Sequence, residues 1–313
     1  MPKIDSSFFP SKSLSHSSLK ENNIDKLEQQ FEHEQMESCL IYQDNVLVYT
    51  FEKKLKLATQ LHKVNSVTKS FLSSLIGIAL EKGYLTSLEQ PLSDFFSPRE
   101  SQSSEVNQIT LRHLLTMTSG FDPRKWTNVA TSENWTETIL NEPLKHSPGE
   151  KMVYNNSDSH LLSAILQVAT RKSTQDFANE YLFQPLGIDD YQWKKSSDHV
   201  SIGGYGLYMT PIDAMKYAVL YLQKGIWNDR QILPADWIEE ATRPHVSTDK
   251  WKQAYGFHWW VSDEKPAFYY AAGRGGKFLF ISPEQQLAVV FTANLSNKES
   301  LLPYQWFVRY ILD

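Results

Sequence analysis

Cysteine is almost absent from this chain: of 313 residues only Cys39 carries a thiol. An intrachain disulfide and a cysteine-based zinc site both need more than one, so both are excluded. Cys39 lies in an apolar, strand-like run, which suits a buried, inert thiol better than a nucleophile. Long apolar runs are also missing. The longest candidate, 71–80, is shorter than the ~20 residues a bilayer span requires and is interrupted by Ser73, Ser74 and Gly77. The first residues lack the apolar stretch of a secretory signal, so the reading is a cytoplasmic protein with no membrane contact. Charge of one sign is not in excess: the net charge is −5. That gives no basic footprint for nucleic acid and no polybasic membrane patch. H-E-x-x-H and G-x-S-x-G do not occur, which disfavours a zinc protease and an α/β-hydrolase. No metal and no cofactor is expected.

What is present is enough apolar material for a large core: 41% hydrophobic and 13% aromatic residues. Residues 1–24 are rich in Ser and Lys and read as a loose arm. Residues 25–313 read as a single catalytic domain. A polar amphipathic helix is expected over 23–37, and two β-rich runs around Gln43-Asp44-Asn45 predict a hairpin. An apolar helix follows Ser66 and stops near Gly83. Helix starts are signalled at Thr110 and at Thr210-Pro211, and a 3.6-residue period runs from Asp158 to Thr170. Further helices are expected over 173–182 and 234–241, and a closing one over 301–312. Strands are expected over 255–261, 267–273, 276–282 and 287–294. The order is strands, helices, strands, helix. An antiparallel sheet would therefore combine about 25–85 with 191–313, with an all-α region inserted at about 86–190, an α+β fold.

The chemistry begins at Ser66-Val-Thr-Lys69, which opens the apolar helix. Residues three apart share a helix face, so an ammonium stands beside a hydroxyl and can activate it without histidine. The same spacing recurs at Ser17/Lys20, Ser247/Lys250 and Ser262/Lys265, but in polar stretches with no apolar helix after them. A lysine at its usual pKa of about 10.4 is a poor base at neutral pH, so burial or a nearby cation must lower it. Tyr154-Asn155-Asn156 is the only Y-x-N: a phenol to relay a proton and an amide to hold Lys69 and a substrate carbonyl. Taken alone, a turn that uses such residues is the plainer reading. Gly273-Arg274-Gly275-Gly276-Lys277 precedes a β run. It offers close backbone approach and a fixed cation that pairs with carboxylates. A plain turn is the blander reading. His113, on a helix, reads as structural. Trp126, in a loop, is the tryptophan best placed to touch a ligand.

Ser-x-x-Lys, Tyr-x-Asn and Arg-Gly-Gly, in that order, resemble the β-lactamase-related serine hydrolases: class C β-lactamases, penicillin-binding DD-peptidases and their esterase relatives. The resemblance extends to 109–120, Pro148-Gly149, 182–188, 203–213 and Tyr255-Gly-Phe-His-Trp-Trp260. It implies a β-lactamase/DD-peptidase-like fold, with the site in a cleft between the sheet and the helical region. It also implies that Ser66 is acylated, that Lys69 and Tyr154 share proton transfer, and that Asn156, Arg274, Gly275 and Gly276 bind substrate. The oxyanion hole would be the backbone N–H groups of Ser66 and Lys277. Arg-Gly-Gly departs from the usual Lys-Thr-Gly or His-Thr-Gly, and the missing hydroxyl would have helped to bind a β-lactam carboxylate. The expectation is hydrolysis of a small ester, amide or peptide with weak or no β-lactamase activity, by a monomer or weak homo-oligomer. The alternative is a catalytically silent relative that binds a ligand or partner in the same cleft.

Overall fold

The computed structural model describes residues 9–54, 60–97, 104–248 and 253–312. Residues 1–8 of the expected arm, and Lys250 of the Ser247/Lys250 pair, lie outside them. Helix α1 (Glu21–His33) buries Ile24, Leu27 and Phe31 on one face. Strands β1 (Met36–Gln43) and β2 (Val46–Glu52) form the expected hairpin, turning at Asp44 and Asn45 with φ of 49° and 64°. β3 (His62–Lys63) leads into α2 (Thr68–Glu81), whose residues Thr68 to Ala79 are all buried. After α2 come the helices α3 (Leu111–Leu115), α4 (Trp126–Ala130), α5 (Trp135–Leu140), α6 (Ser157–Thr170) and α7 (Thr174–Ala178). They are followed by β4 (Tyr191–Trp193), β5 (Leu207–Met209), α8 (Pro211–Leu222), β6 (Ile226–Trp227), β7 (Arg230–Gln231) and α9 (Ala235–Thr242). The chain closes with β8 (Val246–Ser247), β9 (Ala254–Tyr255), β10 (Trp260–Val261), β11 (Tyr269–Gly273), β12 (Lys277–Ser282), β13 (Leu287–Ala293) and α10 (Leu302–Trp306).

The main sheet has the order β2-β1-β13-β12-β11-β10-β9-β8 and is antiparallel throughout. The N-terminal hairpin thus completes a sheet built by the last third of the chain. Successive side chains point to opposite faces, and the sequence uses that period. Leu40, Leu279, Ile281, Ala288 and Val290 pack with α2, α8 and α9 on one face. Cys39, Ile41, Phe278, Phe280, Val289 and Phe291 pack with α1 and α10 on the other. Cys39 is fully buried and its thiol pKa is pushed up by that burial, so it is inert.

Three expectations change. The arm is not loose over its described part. Phe9 packs edge-on against Tyr42 and Trp227, and Pro10 and Lys12 bond to Leu47 on the open edge of β2. The first helix is Glu21–His33 rather than 23–37, because Met36 already belongs to β1. The run 255–261 is a tight hairpin rather than one strand: Tyr255 pairs with Trp260, and His258 turns the chain with φ 60°. A small sheet, β3-β5-β4, was not foreseen. It anchors the approach to Ser66, since Val64 N–H donates to Leu207 O (3.1 Å). No helix of the described residues is long and apolar enough to cross a membrane.

Candidate active site

Ser66 lies in a tight 3₁₀ turn, Asn65–Val67, that feeds directly into α2. Asn65 holds a left-handed φ of 49°, and its side-chain amide donates to Arg274 O (2.7 Å). Thr68 Oγ donates to Asn65 O (2.7 Å) and accepts from Leu207 N–H (3.3 Å). The turn is thus tied to two different sheets. Lys69 follows on the first turn of a helix that is buried all round from Thr68 to Ala79, so its side chain is buried with the rest.

Lys69 Nζ donates to Asn156 Oδ1 (2.8 Å) and to Gly204 O (2.7 Å), and lies 3.5 Å from Ser66 Oγ. The Tyr154 ring centroid is 4.9 Å away. Burial pulls the Lys69 pKa down to about 7, against the opposing pull of the Asp158 carboxylate. Tyr154 is within hydrogen-bond reach of Ser66, and burial raises its pKa to about 12. The phenol therefore keeps its proton at neutral pH, while the lysine readily gives its own up. Asn155 and Asn156 divide their work. The Asn155 amide oxygen accepts from Asp158 N–H (2.8 Å) at the start of α6, and Asn156 is left to face Lys69.

Gly203 and Gly204 admit no side chain. A Cβ on Gly203 would stand 1.9 Å from Ser159 O, and one on Gly204 2.6 Å from Asn156 Oδ1. Their close approach brings the Gly204 carbonyl to Lys69. Asp158 is fully buried; Ser119 donates to its Oδ1, and Oδ2 has no partner among the described residues. Burial raises its pKa to about 7. Neither Gly204 nor Asp158 was anticipated. The available signals were an aspartate opening the apolar period of 158–170 and the place of Gly204 in the matching stretch 203–213.

The third motif sits differently from the expectation. Arg274-Gly275-Gly276 forms the hairpin turn between β11 and β12. Gly275 N–H donates to Ser300 Oγ (2.8 Å), and a Cβ on Gly276 would stand 2.7 Å from the Leu295 side chain. Both glycines thus face the Ala293–Ser300 segment, a different setting from the one expected of substrate-binding residues. The strand end that meets the Ser66 turn is Gly273: a Cβ there would be 2.4 Å from Val64 O. Arg274 is exposed at the rim, with no side-chain partner among the described residues.

Lys277 is corrected as well. Ser262 N–H donates to Phe268 O (3.0 Å) on the β10 side of β11. Alternate residues of an antiparallel strand turn their backbone groups to opposite neighbours. Phe268, Tyr270 and Ala272 therefore face β10, and Tyr269, Ala271 and Gly273 face β12. Lys277 stands opposite Gly273, so its N–H belongs to the β11–β12 ladder. Its side chain is buried and donates to Ala293 O. The β10 ladder ends at Trp260↔Tyr270. The backbone N–H of Ala272 therefore faces the space beyond β10, beside the Ser66 turn.

Aromatic rings wall the site. Trp260 stacks on Tyr154 (centroids 5.8 Å apart) and Tyr255 meets it edge-on. Half-buried Trp126 meets Tyr205 edge-on at 6.1 Å. Trp193 and Trp259 are core residues, with indole N–H groups donating to Ile202 O and Tyr221 OH. His113 completes a capping box with Thr110 on α3, and His62 bonds Glu37 on β1 (2.9 Å). Among the described residues no group of three or more His, Cys, Asp or Glu could hold a metal ion.

An antiparallel sheet with helices on both faces, and a Ser–Lys pair at the start of a buried helix, is the architecture of β-lactamases and DD-peptidases. The sequence profile described as Beta-lactamase matches residues 37–309, and the chain belongs to that family of hydrolases. Protein flp of Staphylococcus aureus (strain MW2) is 23% identical over 279 residues, 79% of this chain and 55% of that protein. The chain spans about half the length of the curated relatives it matches. Among solved structures, a Bacillus anthracis protein provisionally named a 6-aminohexanoate-dimer hydrolase superposes with a TM-score of 0.80 at 18% identity. That match covers 96% of this chain and 86% of that one. EstCE1, described as a hydrolase with promiscuous acyltransferase activity, gives 0.74 at 17% identity, covering 91% and 97%. These likenesses show the fold.

Proposed function

We propose that this protein is a serine hydrolase that works through an acyl-enzyme on Ser66. Its substrates would be small esters, amides or peptides, with weak or no β-lactamase activity. The observation that carries the reading is the state of Lys69: buried, held toward Ser66 by Asn156 and Gly204, and lowered to about 7. A lysine that is neutral near pH 7 is a competent general base.

In the first step neutral Lys69 takes the Ser66 Oγ proton as Oγ attacks the substrate carbonyl carbon. The developing oxyanion is met by the N–H groups of Ser66 and Ala272. The loss of one such donor typically costs about 10²–10³ in rate. The C–O or C–N bond then breaks, and the leaving group takes a proton from Tyr154, which is resupplied from Lys69. Water attacks the acyl-enzyme by the same route in reverse, releasing the acid and restoring Ser66. Arg274 at the rim supplies a cation for a substrate carboxylate. Ala271 and Ala272 on β11 offer no hydroxyl to a β-lactam carboxylate, consistent with the weak β-lactamase expectation. The names of the two structural neighbours, for 6-aminohexanoate-dimer hydrolysis and promiscuous acyl transfer, fit this substrate class.

The test is incubation with a fluorophosphonate, a labelled penicillin and p-nitrophenyl esters, read by intact mass and product release. A covalent adduct and ester turnover, both lost in Ser66→Ala, are expected. No adduct and no turnover with any of these reagents would leave the silent ligand-binding alternative.

A further inference from the structure

The segment Tyr255-Gly-Phe-His-Trp-Trp260 contains a residue that the acyl-transfer steps do not use. His258 is 2% exposed and takes a left-handed backbone, φ 60°. A non-glycine residue holds that conformation only where its surroundings enforce it. Four contacts do so. Nδ1 lies 3.1 Å from the Lys69 carbonyl oxygen, which can only accept, so Nδ1 carries the ring hydrogen. Nε2 is then the acceptor, 3.4 Å from the Ser159 hydroxyl on α6, three residues past Asn156. The His258 carbonyl accepts from Ser70 Oγ (2.8 Å), and its N–H donates to Leu115 O (3.1 Å) at the end of α3. Burial, with Lys69 close by, holds the imidazole pKa down at about 3, so the ring stays neutral.

We propose that His258 is a positioning residue for Lys69. Its neutral ring locks the first turn of α2 against the first turn of α6, so that Nζ reaches Asn156, Gly204 and Ser66 together. His258 touches neither nucleophile nor substrate and acts through Lys69 and Asn156. The inference rests on Lys69 being the base. Misplacing a catalytic group by about 1 Å can cost ~10² in rate.

The test follows Lys69 itself, by NMR titration of protein labelled at the lysine ε-carbon, with the signal assigned by its loss in Lys69→Ala. His258→Gly removes the ring and suits the left-handed backbone. His258→Gln keeps a donor and an acceptor. Ser159→Ala removes one partner only. In His258→Gly the Lys69 midpoint is expected to rise from about 7 by ~1 unit or more, as water reaches the ammonium. Ser66 acylation is expected to fall about 10- to 100-fold. His258→Gln should lie closer to wild type, and added imidazole should restore part of the His258→Gly loss. A Lys69 midpoint unchanged in His258→Gly, or a His258→Gln protein no better than His258→Gly, overturns the proposal. Should His258→Gly fail to fold, Ser159→Ala decides: a smaller rise supports the role, and no rise overturns it. A midpoint that shifts as expected in a protein whose Ser66 is never acylated would reject the hydrolase reading and leave the positioning role standing.

Discussion

An ordinary lysine keeps its proton until about pH 10.4. Lys69 does not, because it lies fully buried on the first turn of a buried helix, out of water. The carboxyl of Asp158 faces it from α6, with the Tyr154 phenol and the neutral His258 ring as the other nearby titratable groups. Lys69 and Asp158 both titrate at about 7, so the transition belongs to the pair. The proposed base works when neutral, and under that proposal kcat/KM for an ester should rise with pH through an acid limb near 7. Asp158→Asn removes the negative charge that favours the ammonium. The limb should move to lower pH in that variant, and an upward or absent shift in the pH–rate profile would refute the coupling. Lys69→Ala should fold normally and lose about 10²–10⁴ in acylation rate, the usual worth of a general base. Near-normal labelling of Ser66 would remove the lysine from the machinery. Ser66 and Lys69 are legible in the sequence because three-residue spacing on a helix is local information. Asp158 and Gly204 are not, since each comes to Lys69 only through the packing of distant segments.

At the scale of elements, the β11–β12 hairpin shows where local reading loses register. Arg274-Gly275-Gly276 looks like a binding motif, but a strand exposes only alternate backbone groups to one side. Counting from the Ser262–Phe268 bond gives that side to Ala272. Run 255–261 misled in the same way: its apolar composition suggests one strand, whereas close packing of Gly256 against Ala241 O and the left-handed His258 fold it into a hairpin. Helix contacts are equally specific. Gly77 in α2 lets Trp237 of α9 lie against the helix, and a Cβ there would come within 2.4 Å of the indole. Gly77→Ala should destabilise the protein by about 1–3 kcal/mol, the usual cost of overpacking. Combining it with Trp237→Leu should recover part of that loss, and additive urea-unfolding energies would show that the two side chains are not in conflict.

Across the whole molecule, two apolar clusters lie on opposite faces of one sheet: Val64 and Val67 beside Ser66 belong to one, and Trp260 and Ala272 pack against the edge of the other. Trp306 of α10 is 4% exposed on the far face, against Phe31 of α1. Trp306→Ala should cost about 3–5 kcal/mol of stability, as large-to-small core changes do. The Ser66 labelling rate of the folded protein should be unaffected. A labelling rate that falls in step with stability would show that the two faces are coupled. Helix periods, capping residues and two-residue strand alternation are written along the chain, so the α+β class, most elements and the Ser66–Lys69 pair followed from the sequence alone. The partners of that pair did not. The charge on Lys69, the strand edge beside Ser66 and the reach of His258 depend on which distant segments exclude water and close ranks around a point, and only the folded chain decides that.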